Sequence, residues 1–384
     1  MTDKQTIKFG DICREVKLTT KDPIADGYEH YIGLEHLDSG SLKIKRWGII
    51  AEDNPSFTRV FKKGHILFGK RRPYLKKAAI AEFDGICSGD IIVLEPTNMM
   101  ACPALLPFMI QSDGFWDWAI KTSSGSLSPR TKYKDLAKYN FELSNAQCQN
   151  SLLYLLQKLQ NYRSMVEEEL LLANSLKDSV ERSLLKNLVS YQLSADSDYT
   201  SLSEIGEFKN GINKGKDSFG KGNYFVNLDD VFSTNVLSIP PKGLVKCSKS
   251  ELENYSVMKG DILFVRSSVK PSGVAKTTLI SHDLEETVYS GFLIRFRPYN
   301  LQYSEFLNFL FNSATFKHRI SAFVTVSANS NINQKALEIQ KIKLPSESEA
   351  KEISNILRKT SLVVEESKNK LKYIDNLQKA LLNS

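Results

Sequence analysis

Two kinds of apolar pattern organise the chain. Short, nearly uninterrupted apolar runs bounded by Gly, Pro, Asn and Ser read as strands, at Gly64–Gly69, Ile91–Leu94, Asp261–Val265 and Phe292–Phe296. Longer stretches, Leu105–Ile120 and Tyr303–Phe323, read as helices. Each is followed by a polar loop, one more strand and a long helix. From Leu152 to Ser183 the a-like positions are Leu152, Leu159, Val166, Ala173 and Val180. The d-like positions are Leu155, Tyr162, Glu169, Leu176 and Ser183, and no Gly or Pro interrupts the segment. The second long helix begins near Ser348 and carries Ile353, Leu357, Val364, Leu371, Ile374 and Leu381 on one stripe, diluted by Thr360, Ser367 and Gln378. So narrow a stripe needs a partner, and the economical one is the other long helix, run antiparallel. Around 35 residues at ~1.5 Å each make a rod of roughly 50 Å. Two alternatives stay open: each helix folds back on its own domain, or the stripe binds another protein.

The order of these elements repeats. Lys63-Gly64-His65-Ile66-Leu67-Phe68 returns as Lys259-Gly260-Asp261-Ile262-Leu263-Phe264. Upstream, Ile32-Gly33-Leu34-Glu35-His36-Leu37 matches Val226-Asn227-Leu228-Asp229-Asp230-Val231. Downstream, Ser88–Pro96 matches Ser290–Pro298, and Leu136, Phe141, Leu143 and Leu152 match Leu337, Ile342, Leu344 and Ile353. Four blocks in one order, offset by 194 to 202 residues, mark a diverged duplication. The predicted class is therefore α+β. Domains of mixed sheet and helix occupy 1–146 and 191–346, with long helices at 147–190 and 347–384. The helices are expected to pair as an antiparallel coiled-coil spacer with pseudo-two-fold symmetry.

Composition changes this picture little. Hydrophobic residues make up 41% of the 384, enough for two cores, and the net charge of +7 permits a polyanionic partner without demanding one. Cys13, Cys87, Cys102, Cys148 and Cys247 are odd in number, widely spaced and without a Cys-x-x-Cys pair, which argues against disulfides and structural zinc. Met1–Thr6 holds no apolar leader and no stretch is apolar for long enough to span a bilayer, so a soluble, cytoplasmic protein is expected.

Three places suit nucleic acid. Lys70, Arg71, Arg72, Tyr74, Lys76 and Lys77 follow a strand of the first copy, and cations with an interleaved Tyr suit phosphates and guanine edges. Arg266, Ser267 and Lys270 hold the corresponding place in the second. A polar loop precedes the last strand in each copy, with Ser128, Arg130 and Lys132 in Thr122–Lys132 and with Asn329 and Asn331 in Ser327–Lys335. Hydroxyls and amides there can contact phosphates or bases, and Asn can pair with adenine; both loops also read as plain flexible loops. Lys209–Lys216, with Lys214 and Lys216, is a basic turn without phosphate-loop spacing. No catalytic pattern is present: His30, His36, His65, His282 and His318 are scattered, and no metal-ligand, glycine-rich cofactor or nucleophile motif occurs. His36 aligns with Asp230 and His65 with Asp261, swaps that suit a surface role.

On these residues the chain resembles the specificity subunits of type I restriction-modification systems. The likeness is carried by Tyr31–Leu37, by Lys-Gly-(His/Asp)-Ile-Leu-Phe in both copies, by Arg71–Lys77 running on to Ala81–Asp90, and by Ile342-Lys343-Leu344-Pro345 before a long helix. Two departures stand at the helix borders: Glu142–Gln147 lacks the family's proline pair, and Pro345–Glu349 lacks its Gln. The resemblance implies a non-catalytic subunit whose two target-recognition domains read a bipartite, asymmetric site in double-stranded DNA. It implies docking of two methyltransferase subunits, with restriction subunits in systems that cut. S-adenosylmethionine, ATP and Mg are then expected in those partners and no cofactor in this chain. A type IIB-like recognition subunit and a coiled-coil interaction scaffold are the alternative readings.

Overall fold

The computed structural model describes residues 5–189, 198–326 and 329–383. The chain forms two compact units, one of Met1–Glu168 with Lys368–Ser384, the other of Glu169–Ser367. Among the described residues no helix is long and apolar enough to cross a membrane.

The first unit is built on a four-stranded antiparallel sheet in the spatial order Cys13–Val16, Ile91–Pro96, Ile66–Gly69, Ala78–Ile80. Its strands read as continuous apolar runs because both faces are covered. Ile66, Phe68, Ile92 and Leu94 pack with Phe115 and Trp116 from the helices, while Leu67, Ile91 and Val93 pack with Ile32, Phe61 and Cys87 of a second sheet. That second sheet holds His30–Ile32 parallel to Gly85–Cys87. The second unit repeats the layers. Ile262, Phe264, Ile294 and Phe296 face the helices, Leu263, Val265 and Leu293 face away from them, and Phe219–Val226 runs parallel to Thr287–Tyr289. In each unit an early strand pairs antiparallel with the last one, Gln5–Lys8 with Asn140–Leu143 and Thr200–Ser201 with Lys341–Ile342.

The two stretches expected to be single helices are each broken in two: Leu106–Ile110 and Asp113–Lys121, then Ser304–Asn312 and Ala314–Ser321. The break falls on Ser112 and Ser313, which share an extended conformation (φ −65°, ψ 145° and 150°). A serine that leaves the helical region can cap the next helix, and Ser313 Oγ accepts the Phe316 N–H at 3.2 Å.

The long helices span Ala146–Leu185 and Glu347–Asn383. Within each unit their segments pack antiparallel: Leu152 and Leu153 join one core with Leu381 and Leu382, and Val180 and Leu184 join the other with Ile353 and Leu357. Arg163 pairs with Asp375 in the first unit, and Ser367 Oγ donates to Glu169 at 2.9 Å in the second. The stripe expected on the second helix faces inward, Ser367 included. On the first helix the d-like positions other than Glu169 are a correction. Leu155, Tyr162 and Leu176 are 50%, 48% and 58% exposed, and Leu156, Arg163, Leu170, Lys177 and Leu184 turn inward instead. The helix packs on the cores of the globular units as well as on its partner, so its buried face is the broad one of an ordinary amphipathic helix rather than a narrow two-helix seam.

The His65/Asp261 swap also needs correction, because Asp261 is fully buried, and in both swaps the side chain serves the backbone. Gly33 N–H donates to His36 Nδ1 at 3.0 Å and Asn227 N–H to an Asp230 carboxylate oxygen at 2.8 Å. Lys62 N–H donates to His65 Nδ1 at 3.0 Å and Met258 N–H to Asp261 at 2.8 Å, around glycines (Gly64, Gly260) that both hold φ +91°. A neutral imidazole and a carboxylate both supply the acceptor that the turn requires. The surrounding charges invert to match. His65 lies 3.7 Å from Glu95, which pairs with Arg14; in the second unit buried Asp261 binds Arg297 at 2.6 and 2.7 Å, and Glu207 stands opposite Arg297. Burial holds the His65 ring below its ordinary value against the pull of Glu95. A group with a depressed cationic pKa contributes stability that is full above the unfolded value and is lost as pH falls through it. The first unit should therefore weaken below about pH 6.5. In thermal melts His65→Asp alone should cost on the order of 1–3 kcal/mol by facing Glu95, and Arg14→Glu with Glu95→Arg added to it should recover most of that loss.

Candidate nucleic-acid interface

The central strand of each sheet leaves the core and must pair its backbone again at once. In the first unit Lys70 N–H donates to Asp90 O (2.9 Å), Thr131 N–H to Lys70 O (3.0 Å) and Arg72 N–H to Pro129 O (2.7 Å). Arg71 bridges Arg130, which bridges Ser124. The basic run and the polar loop, far apart in sequence, are thus one surface. The second unit repeats this clasp. Arg266 N–H donates to Phe292 O (2.8 Å) and Ile332 N–H to Arg266 O (2.9 Å). Ser267 pairs with Asn331, Ser268 with Ser330 and Thr325 with Asn331 in a three-stranded patch. The basic turn meets the same place, since Gly291 N–H donates to Ile212 O at 2.8 Å beside Phe292.

The side chains on the clasps differ. Asp90 accepts from Arg130 Nε at 2.8 Å and Nη2 at 3.3 Å, lies 3.5 Å from Arg71 Nη1, and is held below the usual carboxylate range chiefly by the Arg130 hydrogen bond. Arg71 also donates to Ser128 Oγ at 3.3 Å. Lys76 pairs with Asp113 at 2.8 Å and Lys77 donates to Leu34 O at 2.7 Å, while burial disfavours the charge on Lys70. Among the described residues the side chains of Arg72 and Lys132 are exposed and outside any ion pair. Arg72 and Lys76 hold left-handed φ values of 55° and 49°, uncommon for residues with a Cβ, and the turn between them leaves Tyr74 half exposed.

In the second unit Lys214 is bound by Glu251 at 2.6 Å, and Glu251 is pushed down to about 2 by Lys214 and by the Ser248 N–H. Lys214 is therefore part of a helix cap, and Lys216 opens an exposed single turn, Lys216–Ser218. Arg266 is half buried, Lys270 is exposed, and Asn331 Nδ2 donates to Asn329 O at 2.9 Å. Ser327 and Ala328 of the predicted loop lie outside the described residues. Sequence reasoning passed over Asp90 and Phe292. They share one aligned position, and there Asp90 ties two arginines while Phe292 stands 54% exposed. The mismatch at the end of otherwise matching Ser-Gly blocks was the available signal.

Residues 195–374 match the family described as the type I restriction modification DNA specificity domain. A stretch of 186 residues, 48% of this chain, is 26% identical to the specificity subunit of the type I restriction enzyme EcoDI from Escherichia coli and spans 41% of that protein. Over these stretches the chain is similar to type I restriction-modification specificity subunits. Its fold is that of solved relatives. A chain from a type I restriction-modification system studied for complex assembly and conformational transition aligns over 99% of this chain and 96% of its own, with TM-score 0.59 and 17% identity. The type I S subunit from M. genitalium aligns over 99% and 95%, with TM-score 0.60 and 13% identity.

The Asp90 pairings predict that Asp90→Ala lowers first-unit stability by about 1 kcal/mol, since the groups are partly exposed. Hydrogen exchange should then quicken at the Arg72 and Thr131 amides and leave the Ile332 amide of the second unit unchanged.

Proposed function

We propose that this chain is the DNA-recognition subunit of a type I restriction-modification complex, with each unit reading one part of a bipartite, asymmetric target. One observation carries the reading: the two units place the same backbone clasp at the same point of the sheet and dress it with different side chains. Arginines and an exposed Tyr occupy the first, while Ser267, Lys270, Asn329 and Asn331 occupy the second. A scaffold kept constant beneath divergent contacts suits two readers with different sequences to recognise. Cations on such loops position the duplex through phosphates, and amides and guanidinia discriminate base edges.

The long helices act in this reading as the spacer that fixes the number of base pairs between the half-sites. Their outward apolar positions, Leu155 and Tyr162 in the first unit and Leu171, Leu172 and Leu176 in the second, provide the surface for two modification subunits. The chain itself contributes recognition. Methyl transfer with S-adenosylmethionine, and cleavage with ATP and Mg where restriction subunits join, belong to the partners. Among the described residues no group of three or more His, Cys, Asp or Glu is arranged to hold a metal ion.

Methylome sequencing of a host with and without the gene tests the whole reading. A single split motif with unrelated halves is the expected result, and loss of no motif would overturn it. Charge reversal then separates the units. Arg72→Glu should weaken methylation or binding about tenfold or more through the first half-site alone, and Lys270→Glu through the second.

A further inference from the structure

The two units differ in how they fill the space between the turn after the clasp strand and the helix that follows the serine break. In the first unit that turn is Pro73–Leu75 and the helix Asp113–Lys121. Trp116 is fully buried on the helix and stacks on Phe68 at 4.7 Å, and Lys76 reaches across to Asp113 at 2.8 Å. In the second unit Ala314 and Lys317 stand where Asp113 and Trp116 stand, counted from the matching caps Ser112 and Ser313. Ala275, with φ +59°, takes the place of the left-handed Lys76. Two small residues and a lysine thus replace an ion pair and an indole. What remains is a cavity of about 200 Å³, with Pro271, Ser272 and Val274 on one side and Lys317, Ser321 and Val324 on the other.

Lys317 is half buried, and among the described residues its Nζ makes no hydrogen bond and no ion pair. Burial disfavours its charge, Lys276 and Lys177 oppose it further, and Glu181 alone favours it. The Glu181 carboxylate is engaged in accepting the Ala314 N–H at 3.2 Å. A packed core gains nothing from a lysine in this place. Ser321 Oγ donates to His318 O at 2.7 Å and Ile320 adds an apolar wall, which leaves Lys317 and the Ser272 hydroxyl at the cavity, and a lysine so placed gains from an anion. The position is adjacent to the second clasp: Pro271 follows Lys270 directly, and Val324 leads into Thr325, which pairs with Asn331. The second clasp carries fewer cations than the first, so phosphate neutralisation there has to come from a neighbouring element.

We propose that this cavity is a phosphate-binding site of the second unit, in which Lys317, with Ser272, receives a backbone phosphate of the DNA beside the Lys270 and Asn331 contacts. The inference rests on the DNA-reading function proposed above. The test uses the full chain and a mixed-sequence DNA duplex, with affinity measured across a salt series. Lys317→Gln should bind three- to tenfold more weakly at low salt. Its plot of log affinity against log salt should be shallower by about 0.9, the signature of one lost phosphate contact. Lys317→Arg should keep the wild-type slope. The melting temperature of Lys317→Gln is measured alongside, and binding is compared only in a variant that melts with wild type. Unchanged affinity and slope in folded Lys317→Gln would overturn the site while leaving the recognition function intact. A wild-type chain that binds no duplex would overturn the function itself. Inorganic phosphate that raises the wild-type melting temperature in a protein whose Lys317→Gln variant binds duplex normally would mark a small-anion pocket instead, and would overturn the assignment to DNA.

Discussion

A strand buried on both faces admits no water along its length, so the chain must satisfy its backbone wherever it enters and leaves that strand. Ile66–Gly69 and Ile262–Val265 are such strands, and much of each unit is arranged about their two ends. At the start, a turn with a left-handed glycine offers its N–H to a side chain three residues later, and His65 or Asp261 accepts it. At the finish, the carbonyl of Lys70 or Arg266 takes an N–H from the loop before the last strand, and that bond brings the loop against the residues that follow the strand. The clasp is a consequence of burying the strand.

The same constraint explains how far the copies diverged. What the start of the strand needs is an acceptor, and an imidazole nitrogen and a carboxylate oxygen are equally good. Exchanging one for the other changes the local charge, and the pairing residues changed sign with it: Arg14 and Glu95 in the first unit, Glu207 and Arg297 in the second. Inverting a whole charge cluster preserves its internal attraction, whereas inverting one member would bury like charges together. At the finish only backbone atoms are required, so the side chains were free to vary. Variation accordingly gathers there, as Arg71 against Ser267, Arg130 against Asn331 and Asp90 against Phe292.

Ion pairing at the first clasp separates support from contact. Arg71 and Arg130 are held by Asp90, and Lys76 by Asp113, so these cations shape the loop as much as they charge it. Arg72, Lys132 and Tyr74 face outward from the frame so made. A basic run is therefore a poor census of free cations, because part of it is spent on holding the remainder in place.

The sequence by itself determined the duplication, the α+β class, two adjacent strands of each main sheet and the two long helices, since all of these rest on local periodicity and on blocks that repeat in order. It also singled out the loops that became the clasps, as loops. Tertiary structure decided what joins what. The basic run and the polar loop meet through hydrogen bonds between backbone groups, which carry no residue identity to read in advance. The first long helix turned Leu156 and Leu170 inward and Leu155 and Tyr162 outward, because the packed cores supplied a second surface that heptad spacing does not encode. The exchange of His65 for Asp261 looked superficial in one dimension and proved internal in three. An acceptor and its charge partners are chosen by proximity across the sheet, and only the folded register puts residue 65 beside residue 95 and residue 261 beside residue 297.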